Sequence, residues 1–130
     1  MTDFSDALGI ASSGMRSQSQ RLRHVSENIA NADTPGYRRK TVSFTEAVEG
    51  GRTTGAVRTG RVHLDRTDLP MLFDPSHPMS DDTGHYAGSN VNLLVEIADA
   101  REAQRSYEAN VKLFDQVRQM SASLMDLLRR

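Results

Sequence analysis

The chain has 130 residues and a net charge of −1 at pH 7, from 16 basic and 17 acidic side chains. This balance disfavours a dedicated nucleic-acid or membrane-surface binder, since such proteins usually carry a basic excess. With no Trp, four Phe and three Tyr, the sequence predicts a thin core or one completed by a partner. The chain has no Cys, which excludes disulfide and thiolate chemistry.

The first predicted element is a long helix from Phe4 to Ala32. Apolar residues recur there at steps of three and four, interrupted only by Gln18, which predicts one apolar stripe on a helix about 30 residues and ~45 Å long. We expect residues 1–33 to form an N-terminal assembly helix. Its assembly stripe consists of Phe4, Leu8, Ala11, Met15, Leu22, Val25 and Ile29.

A tight turn is predicted directly after this helix. Asn31 is predicted to end the helix in the left-handed conformation. Pro35 fixes φ at the first corner of the following turn, and Gly36 accepts a positive φ at the second.

The middle segment, residues 34–90, loses the helical period. Apolar and polar residues alternate around Val42 and around Val62, which predicts short strands. Glycines, including the pair Gly50-Gly51, indicate hairpins or flexible loops between them. We expect two to four short strands and much irregular chain.

A second long helix is predicted over residues 91–130, with Ser89 or Asn90 as its cap. Apolar residues again recur at threes and fours over roughly 35 residues, and neither Gly nor Pro interrupts them. We expect this C-terminal assembly helix and its lead-in to contribute a second assembly stripe. That stripe consists of Asn90, Val91, Asn92, Ile97, Tyr107, Val111, Phe114, Val117, Met120, Leu124 and Leu127.

The predicted fold is mainly α and forms one composite domain. The first helix ends, and the second begins, beside the same middle segment, which favours two antiparallel neighbours. We therefore expect long N- and C-terminal helices in an antiparallel coiled-coil hairpin, with a small irregular β-containing middle segment. Such a hairpin leaves apolar surface on both helices, which favours oligomerisation.

Residues with catalytic or metal-binding potential form no recognisable site. His77 and His85 lie near three aspartates, but their spacing matches no compact zinc pattern. The chain contains neither a nucleophile elbow of the Gly-x-Ser-x-Gly type nor a glycine-rich phosphate loop. We therefore expect no enzyme activity, no catalytic or metal-binding residue and no cofactor.

A basic cluster, Arg38-Arg39-Lys40, follows the predicted turn. A nucleic-acid contact is one interpretation of this cluster. The near-neutral chain favours the other interpretation, a solvated face or ion pairs to a neighbouring subunit.

The segment Ala30–Arg39 closely resembles the Ala-Asn-x-x-Thr-Pro-Gly-Tyr-Lys/Arg motif of bacterial flagellar axial proteins, which include rod, hook and hook-associated proteins. Ala11–Met15 and Glu27–Ala30 match the first helix of that family, and Arg105–Asn110 is similar to its last helix. The residues carried over as family motif and turn are Asn28, Ala30, Asn31, Thr34, Pro35, Gly36 and Tyr37.

Within that family, the short length and the stretch Asp74–Tyr86 are most similar to C-type proximal rod subunits, with the B-type subunit as the alternative. The resemblance implies a structural subunit that polymerises with copies of itself and other rod subunits into the drive shaft of the basal body. It also implies export by the flagellar type III apparatus without a cleaved signal peptide, and a rod that spans the periplasm without being membrane-embedded. The alternative is a soluble adaptor or export chaperone that holds a partner's helix on the same stripes.

Overall fold

The computed structural model describes residues 2–130, and two long helices contain about half of them. Helix α1 spans Thr2–Ala30 and helix α2 spans Leu93–Arg129. Between them lie four strands: β1 (Lys40–Glu49), β2 (Arg52–Leu64), β3 (Met71–Phe73) and β4 (His85–Ala87). The predicted class, two terminal helices with a small β-containing middle, is confirmed.

The turn after α1 confirms one prediction and corrects another. Gly36 has a φ of 74°, as predicted, whereas Asn31 does not adopt the left-handed conformation, since every positive φ in the described residues belongs to a glycine. Asn31 stabilises the helix end differently. Its backbone N–H and its side-chain amide both donate to the carbonyl of Glu27, at 3.1 and 2.8 Å, which satisfies an acceptor left free at the last turn.

The first two strands form a long antiparallel hairpin. Gly50 and Gly51, with φ of 57° and 79°, provide the two positive values that a type I′ turn requires. The number of strands agrees with the prediction of two to four. However, β1 and β2 have 10 and 13 residues and are longer than predicted, because Gly55 and Gly60 lie within β2 instead of breaking it.

Helix α2 begins two residues later than predicted, and its cap is a different residue. Asn92 is the N-cap, with its side-chain oxygen accepting from the amide of Leu94 at 3.0 Å. The two residues predicted as caps make other hydrogen bonds. The Ser89 hydroxyl donates to the carbonyl of Ala32. Asn90 accepts from the Arg39 amide and donates to the Asp65 carbonyl, both in the middle segment.

Helix α1 lies between α2 on one side and the β1–β2 hairpin on the other. Asn28 contacts Glu96, Arg21 contacts Glu102, and Gly14 faces Asn110, so the contacts run in opposite order along the two helices. On the other side, the Ser13 hydroxyl accepts from the Val57 amide at 3.0 Å. The short β3–β4 ladder pairs Leu72 with Tyr86.

The apolar core of the described residues is small. Its buried side chains are Ala11, Val25, Ala47, Ala103 and Val117, three of them alanines, so the helices approach closely and bury little apolar area. This agrees with the thin core predicted from composition. Neither helix within residues 2–130 combines the length and apolarity needed to cross a membrane.

Candidate functional site

The motif residue Asn28 is the centre of a polar junction between α1, the turn and α2. Its side chain is 1% exposed, and its amide nitrogen donates to the Lys40 carbonyl at 2.9 Å and to Glu96 at 3.2 Å. Its oxygen accepts from the Lys40 backbone amide and from the Tyr37 hydroxyl, each at 2.9 Å. A side-chain amide can make four hydrogen bonds, two as a donor and two as an acceptor, and Asn28 makes all four.

Glu96 brings a carboxylate into the same junction. Its side chain is 0% exposed and accepts from Arg39 Nε as well as from Asn28. The Arg39 guanidinium reaches Asp99 with a second nitrogen at 2.7 Å. A buried carboxylate is tolerated only when it is paired and hydrogen-bonded, and Glu96 meets both conditions.

The residues of the turn and those directly after it are hydrogen-bonded to the segment before α2. The Gly36 amide donates to the Ala87 carbonyl at 3.1 Å, and the Arg39 amide donates to Asn90 Oδ1 at 2.6 Å. Asn90 also donates to the Asp65 carbonyl at 2.9 Å. The ends of both helices and the base of the β1–β2 hairpin therefore meet at one place.

Burial and these contacts shift the pKa values of several side chains at the junction. Burial alone would lower the pKa of Arg39, but its hydrogen bond to Glu96 and the attraction of Glu96 and Asp99 outweigh burial, and the pKa is raised. Burial raises the pKa of Tyr37. The hydrogen bond between Lys40 and Glu27, at 2.8 Å, lowers the pKa of Glu27 and raises that of Lys40. Arg39, Lys40 and Tyr37 therefore stay protonated at neutral pH.

A cleft of about 230 Å³ opens beside the junction and is lined by charges of both signs and by Val42 and Phe44. Within residues 2–130, no group of three or more His, Asp or Glu side chains converges as metal ligands would. His77 stacks on Tyr86 with centroids 3.9 Å apart, and His85 bonds to Thr83 at 3.0 Å.

The N-terminal assembly stripe lies mostly against the rest of the chain. Ala11 and Val25 are buried, and Ile29 is exposed. The remaining members, Phe4, Leu8, Met15 and Leu22, are half-buried.

The C-terminal assembly stripe lies mostly outside the contact with α1. Val117 is buried, while Val111 and Phe114 are half-buried, as are Asn90 and Val91 before the helix. The other members are exposed: Asn92, Ile97, Tyr107, Met120, Leu124 and Leu127. Helix α2 therefore carries a large apolar surface that this chain does not cover.

Comparison with known proteins identifies the family to which the chain belongs. Residues 8–38 match the family described as Flagella basal body rod protein, and residues 82–127 match the one described as Flagellar basal body rod FlgEFG protein C-terminal. The flagellar basal-body rod protein FlgC of Agrobacterium fabrum is 46% identical, over 99% of this chain and 98% of that protein. The chain belongs to the FlgC family of flagellar basal-body rod proteins.

More distant FlgC proteins match at similar coverage. The protein of Yersinia enterocolitica is 33% identical over 91% of this chain and 92% of its own length. That of Borreliella burgdorferi is 30% identical over 95% and 96%. The FlgC family consists of structural rod components and not of enzymes, which favours the rod interpretation over the adaptor.

The ion pairs at the junction were not predicted from the sequence. Arg39 was predicted to lie on a solvated face or to pair with a neighbouring subunit, whereas it pairs within its own chain with Glu96 and Asp99. Asn28 and Tyr37 were identified through the motif alone. The sequence offers one signal of a polar group at this junction: the charged Glu96 directly precedes the apolar Ile97 in the first turns of α2.

Proposed function

We propose that this chain is a structural subunit of the proximal rod, which polymerises through its terminal helices into the drive shaft that transmits motor torque. One observation carries the proposal: α2 exposes eleven large hydrophobic side chains and buries only Ala103 and Val117 among its apolar residues. Large exposed apolar patches on a protein surface commonly mark contacts with other proteins. Neighbouring subunits are the natural cover for it in a rod protein.

The proposed architecture is an antiparallel coiled-coil hairpin of residues 1–33 and 91–130, with residues 34–90 as a middle part of the same composite domain. The opposite order of the contacts between α1 and α2 supports this arrangement. The two predicted stripes are the proposed assembly stripes: that of α1 packs mostly within the chain, and the exposed members of that of α2 contact neighbouring subunits. The buried junction keeps the two helices and the β1–β2 hairpin in a fixed relation.

The proposed partners are copies of this chain and other rod subunits. We further propose that the chain reaches the periplasm-spanning rod through the flagellar type III export apparatus, without cleavage of a signal peptide. The membership of the FlgC family supports a place in the basal body. The C-type subunit is preferred over the B-type because the named relatives are FlgC proteins.

The test is genetic complementation followed by electron microscopy of purified basal bodies. Cells that lack this chain should not swim and should have no complete rod, and the wild-type gene should restore both. Leu22→Asp should fail to restore either, because an unpaired carboxylate at a half-buried helix contact costs several kcal/mol. The matched control is Arg58→Ala, an exposed change on β2 that should swim normally.

The location of the protein separates the rod from the adaptor. A rod subunit remains in basal bodies after detergent extraction and washing, whereas an adaptor or export chaperone is absent from them. Swimming cells that carry Leu22→Asp, or purified basal bodies without this chain, would contradict the proposal.

A further inference from the structure

The β1–β2 hairpin has two outer edges, and the pairing of its strands determines which backbone groups point outward. The Asp65 amide donates to the Arg39 carbonyl at 2.8 Å, so this pair is hydrogen-bonded across the hairpin. Hydrogen-bonded and non-hydrogen-bonded pairs alternate along an antiparallel ladder. The next pair, Lys40 with Leu64, therefore directs its backbone groups outward. Both outward groups of Lys40 bind the side chain of Asn28.

Beyond Lys40, strand β1 presents a regular row of outward backbone groups. By the same alternation, they belong to Val42, Phe44 and Glu46. Within residues 2–130, no hydrogen bond reaches the outward N–H or C=O of these three residues. Unpaired groups in such a row are a template for pairing with another strand. The edge of β1 from Val42 to Glu46 is therefore open.

The outer edge of β2 is irregular where that of β1 is regular. Between the pairs Val42–Val62 and Phe44–Thr59, β1 advances by two residues and β2 by three. A second shift, between Glu46 and Val48, again places the extra residues on β2. Such bulges interrupt a strand edge and turn it away from further pairing. The hairpin therefore has one regular edge, which is β1.

Helix α1 also closes part of the β2 edge. The outward amide of Val57 donates to the Ser13 hydroxyl at 3.0 Å, and its carbonyl accepts from the Ser17 hydroxyl at 3.4 Å. These two serines occupy the groups that an added strand would need. On β1, the corresponding cover ends at Lys40, where Asn28 binds.

The open edge of β1 borders the cleft beside the junction. Val42 and Phe44 form part of one wall, and the other walls include Val25 of α1 and Asp99 of α2. Alternate side chains of a strand point to the same face. A strand paired with β1 would therefore direct every second side chain towards the apolar surface of Val25, Val42 and Phe44.

We propose that the open edge of β1 binds an extended polypeptide segment as a third strand of the hairpin. The outward groups of β1 repeat every second residue, which is the repeat of a β-strand, whereas a helix uses its backbone groups internally. The segment carries apolar side chains at alternate positions, which pack against Val42 and Phe44. This surface belongs to the middle segment and is separate from the two assembly stripes. The inference rests on the proposed rod function for the place where the segment is met, the assembled basal body.

The first test is amide hydrogen exchange of this chain, measured in isolated basal bodies and in the purified monomer. In the monomer, the amides of Val42, Phe44 and Glu46 should exchange rapidly, and those of Thr41 and Thr45, which point towards β2, slowly. In basal bodies the three outward amides should exchange about tenfold more slowly, because each gains a ladder hydrogen bond. Mass spectrometry with fragmentation to single residues measures these rates.

The opposite edge supplies the control for this measurement. Val62 lies directly across from Val42, and its amide points outward on β2. It should exchange at the same rate in basal bodies and in the monomer. Equal slowing at Val42 and Val62 would indicate general shielding from water and would overturn the assignment to β1.

The second test places proline at the same two positions. Neither Val42→Pro nor Val62→Pro removes a hydrogen bond of the hairpin, because both amides point outward, and proline is tolerated at such edge positions. The purified variants should therefore have similar urea midpoints. Val42→Pro should block the third strand, so cells that carry it should not swim. Cells that carry Val62→Pro should swim normally.

The outcomes separate this inference from the proposed function. Rapid exchange at Val42, Phe44 and Glu46 in basal bodies that contain this chain would overturn the third strand while the rod function stands. Normal swimming with Val42→Pro would do the same, and equal defects from the two prolines would overturn the assignment to β1. Basal bodies without this chain would instead contradict the function on which the inference rests.

Discussion

The carboxylate of Glu96, which has no exposure to solvent, accepts a hydrogen bond at 3.2 Å from the side chain of Asn28, 68 residues earlier in the chain. The same carboxylate accepts from Arg39. This contact ties the end of α1 to the start of α2 and draws in the chain that follows the turn. A buried charge whose two partners come from two other segments makes all three segments depend on one another, because losing one group leaves the others unsatisfied.

Glu96→Gln should destabilise the isolated chain by about 3 kcal/mol, because Arg39 then keeps its charge in a partly buried site without its main partner. Urea unfolding followed by circular dichroism measures this change. The matched control is Glu102→Gln, whose side chain is 69% exposed and lies 3.4 Å from Arg21. An exposed pair of this kind contributes less than about 1 kcal/mol. Equal effects of the two changes would contradict the role assigned to the buried pair.

Gly36→Ala should destabilise the chain by about 1 kcal/mol, and Gly36→Val by more, because an L side chain disfavours the positive φ at this turn. A β-carbon at Gly36 would meet no atom within 4 Å, so the effect is conformational and not a clash. Gly36→Asn is the control, since Asn tolerates this conformation better. A higher unfolding midpoint for Gly36→Ala than for Gly36→Asn would refute the conformational explanation.

Gly14→Ala tests how closely the two helices approach. A β-carbon there would lie 2.7 Å from the side-chain amide of Asn110, and overpacking of this kind costs roughly 1–3 kcal/mol. Gly9→Ala, on the same helix with nothing within 4 Å, should instead stabilise by up to about 1 kcal/mol.

A second substitution checks the cause of the Gly14→Ala effect. Asn110→Ala removes the side chain that the new β-carbon would meet, so the double variant should be more stable than Gly14→Ala alone. If the two changes add without coupling in thermal unfolding, the helices do not meet at this pair.

The helices and the turn were predictable because their signals are local. A stripe at steps of three and four marks each helix, and Pro35-Gly36 marks the turn. The junction was not predictable, because Asn28, Arg39 and Glu96 come from separate parts of the chain and meet only after folding. A sequence pattern gives no measure of which polar residues will be brought together.

The orientation of α2 shows a second limit of sequence patterns. The apolar stripe of α2 was predicted as an assembly surface, and the positions of α2 that are buried in the fold include Glu96 and Ala103, which are not part of that stripe. The close approach at Gly14 leaves room mainly for small or hydrogen-bonded side chains, so Ile97, Met120 and Leu127 remain exposed. Hydrophobicity alone does not distinguish the contact within a chain from the contact between chains.

Acid should destabilise the middle segment through Asp81. Hydrogen bonds from the Thr83 hydroxyl at 2.6 Å and from the amides of His85 and Thr83 hold the pKa of Asp81 below its ordinary value of 3.8. A carboxyl with a lowered folded-state pKa stabilises the fold above its unfolded pKa, and that contribution is lost as the pH falls through the folded value. Asp81→Asn and Thr83→Val should each reduce the dependence of the urea midpoint on pH below about 4. If the urea midpoint of both variants depends on pH in the same way as that of the wild type, the role assigned to Asp81 is wrong.

The direction of the two helices can be tested with cysteines, because the native chain has none. Phe4 and Met120 line the same groove between the start of α1 and the last third of α2, so Phe4→Cys/Met120→Cys should form a disulfide in the purified monomer. Phe4→Cys/Leu94→Cys is the control, since Leu94 lies near the other end of α1, about 36 Å away in an antiparallel pair. Gel mobility after oxidation detects the bond, and mixing chains of two sizes distinguishes a bond within one chain from a bond between chains. The reverse result, a bond from Phe4→Cys to Leu94→Cys within one chain, requires parallel helices, and the antiparallel hairpin would then have to be abandoned.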